Sequence, residues 1–202
     1  MAQKTQPLEP KRRIPRQARA EETVAAILEG AAQILEAGGL AAFTTNAVAE
    51  RAGVSIGTLY QYFADKQAIL RAIAERELRA TLAKVAQAMT EDHDAPIEQR
   101  VRAVVRAIVG AFRGRQRARK AVVQAVFSEG GGAALQAPIA AFIAAHALGD
   151  LSERQTFVLS RALLGAIRAA VLEEKPFLRD AAFEDELVRL VTSYLRAVLA
   201  AA

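Results

Sequence analysis

Apolar residues recur along this chain at three- and four-residue intervals almost from end to end. Val24, Ile27, Leu28, Ala31, Ile34 and Leu35 share one face of a 3.6-residue turn, which predicts a helix from about Gln17. Gly38-Gly39 ends it in the manner of a C-cap. Two short segments follow. Thr44 is an N-cap, with Phe43 and Val48 at the N′ and N4 positions of a hydrophobic staple, so a helix is predicted from Thr45 to Ala52. Gly53 stops it by taking a left-handed conformation. Ser55 caps the next short helix, Ile56 to Tyr62 or Phe63. Asp65 caps a longer one that opens at Lys66 and carries Ile69, Leu70, Ile73, Leu78, Leu82 and Val85.

Beyond the polar break TEDHDAP, helices are predicted from about Ile97 to Phe112 and from about Gln116 to Phe127. After SEGGG, the stretch AALQAPIAAFIAAHAL reads as a further helix with Pro138 as a kink or boundary. Ser152 caps a long helix reaching about Glu174, EKPFLRDAAF is a turn, and a last helix runs from about Phe183 to Leu199. The count is about nine helices and no strand, an all-α chain. Short helices give way to long ones near Lys66. The chain therefore divides into a flexible basic arm (1–16, with prolines at 7, 10 and 15), a three-helix unit (17–63) and a helical bundle (64–202).

Composition supports this division. Hydrophobic residues make up 52 %, against 12 glycines and 6 prolines, which favours helices around a sizeable core. The absence of cysteine excludes a disulfide framework and a thiolate metal site, and fits a reducing cytoplasm. Charges interrupt every apolar run before the 18 or so residues of a membrane span. The net charge of +5 is concentrated in two clusters. Lys11, Arg12, Arg13, Arg16 and Arg19 lie in and beside the arm. Arg113, Arg115, Arg117, Arg119 and Lys120 form the second, either a site for an acidic ligand or a solvated face.

Two short helices joined by a tight glycine turn form a helix-turn-helix pattern. Ala49 is small enough for the second helix to cross close to the first, and Val54 and Leu59 plug the gap. At about 100° per residue, Leu59 and Phe63 point toward the core while Gly57, Thr58, Gln61 and Tyr62 point away. The outward face is neutral, slim and rich in hydrogen-bonding groups. Such a face suits the major groove, where Gln pairs with adenine N6 and N7. Gly57 allows close approach, and the tyrosines pack their rings on the domain and offer hydroxyls to the DNA backbone.

The stretch FTTNAVAERAGVSIGTLYQYFADKQAIL, residues 43–70, closely resembles the signature of the tetracycline-repressor (TetR) family of bacterial regulators. Thr44-Thr45, Ala49, the Ala52-Gly53-Val54-Ser55 turn, Gly57-Thr58-Leu59-Tyr60, Tyr62-Phe63 and Lys66 carry the likeness. The resemblance implies an N-terminal DNA-binding domain and a helical C-terminal domain that binds a small molecule and forms a homodimer; the apolar pocket residues named below make that effector a hydrophobic one. By motif position it also implies that Thr45, Asn46, Ser55, Ile56, Gly57, Thr58, Tyr60, Gln61 and Tyr62 touch a palindromic double-stranded operator, with Lys66 on a phosphate. Ile56 departs from the polar residues sometimes found there and favours a thymine methyl.

The C-terminal helices add their own expectations. The last helix carries the stripe Phe183, Leu187, Leu190, Val191, Tyr194, Leu195, Val198 and Leu199, and the helix before it is apolar nearly all round. Pairing with a second copy would give a four-helix interface, with Leu164, Leu187, Val191 and Leu195 at its centre. Met89, Val105, Phe112, Val123, Phe127, Phe142, His146 and Arg168 are the candidate walls of a ligand pocket. An enzyme is the competing function class. Its requirements are unmet: His93 and His146 are far apart in unlike settings, EDHD (91–94) reads as a polar turn, and SEGGG lacks the strand and lysine of a phosphate loop. No catalytic residue, metal site, cofactor or membrane partner is expected.

Overall fold

A computed structural model describes residues 16–91, 95–128 and 151–200. Among these residues the chain is all helical: α1 (Arg16–Ala42), α2 (Thr45–Ala52), α3 (Ile56–Tyr62), α4 (Lys66–Glu91), α5 (Ile97–Ala111), α6 (Gln116–Ser128), α7 (Glu153–Leu172) and α8 (Ala181–Ala200), with a short 3-10 helix at Pro176–Arg179. That is eight α-helices, the 3-10 turn falling inside the expected loop. The ninth helix, expected around Pro138, lies outside the described residues, as do Phe142, His146, His93 and all of the arm but Arg16, which opens α1.

Local signals produce most of these boundaries. The Thr44 hydroxyl accepts from the Ala47 amide at 3.2 Å, the Ser55 hydroxyl from Thr58 at 3.0 Å and the Asp65 carboxylate from Ala68 at 2.7 Å. Ser152 and Gln155 form a reciprocal capping box. Gly53 sits at φ 69°, ψ 29°, left-handed as its place after α2 demands. Gly39, at φ 62°, ψ −158°, breaks the helical path of α1 near its end, three residues before its last turn closes.

Two cores result. The first gathers Ile27, Leu35, Val48, Leu59, Phe63, Ile69 and Ile73, and includes Ala118, Ala121, Val122 and Val126 of α6. The second gathers Val85, Val105, Ile108, Val109, Leu163, Ile167, Leu187, Val188 and Leu195. α4 enters both, so it ties the three-helix head to the bundle. α6 does the same from the other direction, since Val123 turns to the second core. Full burial of each large aliphatic side chain contributes about 1.5–3 kcal/mol, so loss of either set would unmake its half of the molecule.

Two sequence expectations change here. Gln17–Ala42 and Glu153–Leu172 are, by length and composition, apolar enough to cross a membrane, although 39% and 44% of an 18-residue apolar window in each is buried within the fold. Their buried faces supply Ile27, Leu28, Leu35, Leu163 and Ile167 to the two cores. Second, Leu164, Leu187, Val191 and Leu195 are 7, 3, 7 and 2 % exposed, inside the chain's own second core. They cannot be the surface that meets another copy. A helical period marks a buried stripe but not what covers it, and here α5 covers α8.

Candidate functional site

The head presents one helix outward. Leu59 and Phe63 are buried at 0 and 7 % exposure, while Ile56, Tyr60 and Tyr62 stand 39, 52 and 38 % exposed. Ser55, Gly57 and Gln61 are exposed beside them, and Thr58 is half-buried. The helical wheel thus places Leu59, Phe63, Gly57, Gln61 and Tyr62 as found, but it sets Ile56 and Tyr60 beside the buried side, where they are in fact exposed, and Thr58 outward, where it is half-buried. From α2, Asn46 is exposed and Thr45 half-buried on the same side. The Thr45 and Tyr60 hydroxyls lie 3.2 Å apart, which links the start of α2 to the middle of α3. Ser55 and Thr58 share a second hydroxyl contact at 2.8 Å. These contacts orient four hydroxyls without covering them.

Gly57 has a specific meaning. A Cβ built there would meet only the Ser55 hydroxyl, at 3.8 Å, an ordinary contact. The fold itself leaves room for a side chain, so the slimness faces outward, toward whatever α3 touches. Gly30 is the opposite case. A Cβ there would come within 3.1 Å of the Ala52 backbone nitrogen and 3.2 Å of Arg51 Cγ. It lets α1 and α2 cross closely, a packing need that sequence reasoning missed because its partner is 22 positions away. Lys66, exposed in the first turn of α4, supplies positive charge where helix N–H groups also point.

The second basic cluster has a role that neither sequence reading foresaw. Arg115 makes a bidentate contact to Glu29 of α1, at 2.6 and 3.1 Å. Glu29 is held down at about 2 by that guanidinium first and by Gln33 second. Arg117 reaches the Ala37 carbonyl at 3.5 Å. The Glu36 carboxylate accepts from the Ala118 amide at 3.1 Å, capping α6 from another helix. Arg119 pairs with Glu77 at 3.0 Å, Lys120 with Glu174 at 2.9 Å and Arg113 with Glu184 at 2.9 Å. The cluster is a set of cross-links that fasten α6 to α1, α4 and the bundle.

Beneath it lies a half-open cavity of about 110 Å³ between α4, α5, α6 and α7. Phe112, Val123, Phe127 and Arg168 line it, as expected, and Ala74, Glu77, Leu78, Thr81, Ile108, Ala111, Arg119, Val122 and Leu164 complete the wall. Val105 is buried in the second core and Met89 packs against that core, both away from the cavity. Leu164, expected at an interface, faces the cavity instead. Ala74, Leu78 and Thr81 follow helical spacing on α4, a signal that was present in the sequence. The Arg168 guanidinium stacks over the Phe127 ring at 4.6 Å.

Residues 27–73 match the sequence profile described as "Bacterial regulatory proteins, tetR family". The fold is similar to a TetR-family transcriptional regulator from Streptomyces coelicolor, with TM-score 0.67 and 23% identity over 87% of this chain and 99% of that one. It is also similar to a TetR transcriptional regulator from Rhodococcus sp. RHA1 (TM-score 0.59, 18% identity, 88% of this chain and 97% of that one). A third likeness is to the multidrug binding protein EbrR complexed with ethidium (TM-score 0.63, 17% identity, 86% and 98%). No curated protein sequence matches the chain. Residues 27–73, which hold the helix-turn-helix, thus match the tetR-family profile, and the chain as a whole is similar in fold to TetR-family transcriptional regulators.

Proposed function

We propose that the protein is a cytoplasmic repressor that holds a palindromic operator as a homodimer and leaves it when a hydrophobic small molecule fills the cavity. The observation that carries this reading is the outward face of α3: hydrogen-bonding, uncharged and slim at Gly57, on a helix anchored by Leu59 and Phe63. Thr45, Asn46, Ser55, Ile56, Thr58, Tyr60, Gln61 and Tyr62 are its contact set, with Gln61 and Asn46 suited to base edges and the hydroxyls to phosphate. Its output is occupancy of DNA, with no catalytic step.

The dimer surface is the outer side of α7 and α8. Val158 and Leu190 are 50 and 43 % exposed, and Ala162, Ala169 and Ala197 are exposed with them. A Cβ at Gly165 would meet nothing within 4 Å, so its own fold does not require a glycine there. A slim apolar face of this kind suits close packing of two helices from a second copy.

Coupling between cavity and head rests on α6. Its Val123 and Phe127 border the cavity, while Ala118, Ala121 and Val126 belong to the core of the head. A ligand that shifts α6 pulls on Glu29 and Glu36 of α1 and so moves α3. Release requires that the ligand bind the shifted state more tightly than the DNA-bound one. The multidrug binding protein EbrR, similar in fold, is complexed with ethidium, which supports a small-molecule role here. The test is selection of bound sequences from random DNA. The expected product is a palindrome whose half-sites lie about 34–36 Å apart or a multiple of it. Recovery of unrelated sequences would rule the reading out.

A further inference from the structure

The two basic clusters of the chain have different fates. The second is spent within the fold: Arg113, Arg115, Arg119 and Lys120 each pair with a carboxylate of another element. The first is not. Arg19, in the first turn of α1, is exposed and has no ion pair among the described residues. Lys11, Arg12, Arg13 and Arg16 precede it with no carboxylate between them, and Glu21 and Glu22 come only after the run. So dense a run of one sign repels itself unless an anion lies along it. The path of α1 sets where the run emerges. α1 and α2 are joined at Phe43–Thr44 and meet again where Gly30 lies against Ala52. The part of α1 ahead of Gly30, about 20 Å at 1.5 Å per residue, therefore runs on past the end of α2. At that same end, Gly53 to Ser55 turns the chain into α3. α6 fastens the later part of α1, through Glu29, Glu36 and the Ala37 carbonyl. Arg51, in the last turn of α2 and beside Gly30, is exposed at this corner and also has no ion pair among the described residues.

We infer that Lys11, Arg12, Arg13 and Arg19 grip the phosphates of the duplex whose major groove α3 enters, a contact blind to base sequence. This rests on the operator reading proposed above and adds a site that the reading does not use. Duplex DNA is the fitting partner on charge and on continuity. It carries one negative charge per about 1.7 Å of its axis, so cations strung along a chain can each meet one. The run also leads directly into the head that carries α3, and fifteen residues of chain reach at most about 50 Å. A membrane surface would want apolar side chains among the cations, and Ile14 is the one large apolar residue between Lys11 and Arg19. Each phosphate neutralised releases counterions. The grip is therefore salt-dependent and equal for all sequences, while discrimination stays with α3.

The test is titration of the full chain with two labelled duplexes of equal length, the selected palindrome and a scrambled sequence, between about 50 and 200 mM salt. One variant carries Lys11→Gln, Arg12→Gln and Arg13→Gln together. A control loses the same charge from exposed sites of α4 and the 3-10 helix, by Arg79→Gln, Lys84→Gln and Arg179→Gln. The first variant should lower the salt slope on both duplexes by roughly 3 per subunit and bind both about tenfold or more weakly at low salt, with the ratio between them kept. Adding Arg19→Gln should remove roughly 1 more per subunit. The control should change the slope by less than about 1. Melting curves check that every variant is folded. A first variant with the parent's slope, or one that loses no more than the control, overturns the inference. So does a loss confined to the palindrome, which would mean that these residues read bases. A parent that prefers no sequence, yet loses slope with Lys11, Arg12 and Arg13, defeats the operator reading and leaves the grip standing. A parent that binds neither duplex overturns both.

Discussion

On α3, Leu59 is wholly buried while Tyr60, the next residue, is half in solvent; on α7, Leu159 is buried while Phe157 and Val158 are 59 and 50 % exposed. Both helices show an apolar face inward and large side chains outward, but for different reasons. Apart from Ile56 and Gly57, the outward residues of α3 are amphipathic or polar and end in hydrogen-bonding groups, which suits a surface that exchanges water for DNA. Beyond the charged first turn of α7, its large outward residues, Phe157 and Val158, are carbon, with exposed alanines after them. Under the proposed function, the first face is the one that meets DNA and the second the one that meets a second copy.

The largest expected effect tests whether head and bundle are one folding unit. Leu59→Ala removes a fully buried side chain and should cost about 2–5 kcal/mol. Because α4 and α6 enter both cores, chemical denaturation should show a single transition moved to lower denaturant. Two separated transitions would mean that the head melts alone and the shared helices do not couple it to the bundle.

A pair of glycines separates folding from contact. Gly53→Ala forces a Cβ into left-handed backbone and should cost about 1–2 kcal/mol of stability. Gly57→Ala meets open space on a helix and should leave stability unchanged or raise it by about 0.5–1 kcal/mol, yet weaken operator binding. The checks are a melting curve and a DNA titration on each variant. Gly57→Ala with unaltered DNA affinity would show that nothing approaches α3 closely there.

The smallest effect concerns the fastening of α6 to α1. The folded value of Glu29 is lowered from 4.5 to about 2, so its pairing with Arg115 stabilises the fold fully above about 4.5 and is lost as pH falls toward about 2. Both side chains are nearly half exposed, which limits the contribution to about 1 kcal/mol or less. Glu29→Gln should lower stability by that amount at neutral pH and converge with the parent near pH 2, measured by urea denaturation across pH. A constant difference at all pH values would show that the carboxylate charge plays no part.

What the sequence made legible was local. Thr44, Ser55, Asp65 and Ser152 cap within three residues of themselves, and Gly53 turns within its own loop, so each signal sits beside its effect. The burial of Leu59 and Phe63 and the outward turn of Gly57, Gln61 and Tyr62 followed from helical period alone, while Tyr60, expected beside the buried side, is half in solvent. Relations between distant residues were not legible. Nothing near Gly30 announces Ala52, nothing in α6 announces that Glu36 will cap it, and Leu187 or Val191 look alike whether α5 or a second copy covers them. The cavity needed four helices brought together, and of the six described residues expected in its wall, Phe112, Val123, Phe127 and Arg168 line it while Met89 and Val105 do not.

The most direct test of the account compares Gln61→Ala with Lys66→Ala across salt concentrations, on matched and mismatched operators. Both side chains are exposed at the proposed interface, but one is a planar amide at the centre of the α3 face and the other a point charge at the start of α4. Gln61→Ala should cost about 1–3 kcal/mol per half-site on the preferred base, relax the preference there and leave the salt dependence nearly unchanged. Lys66→Ala should weaken all sequences alike and reduce the salt slope by roughly 1 per subunit, roughly 2 for a dimer. If instead Gln61→Ala weakens every sequence equally and shifts the slope, α3 only positions the protein on DNA and does not read it.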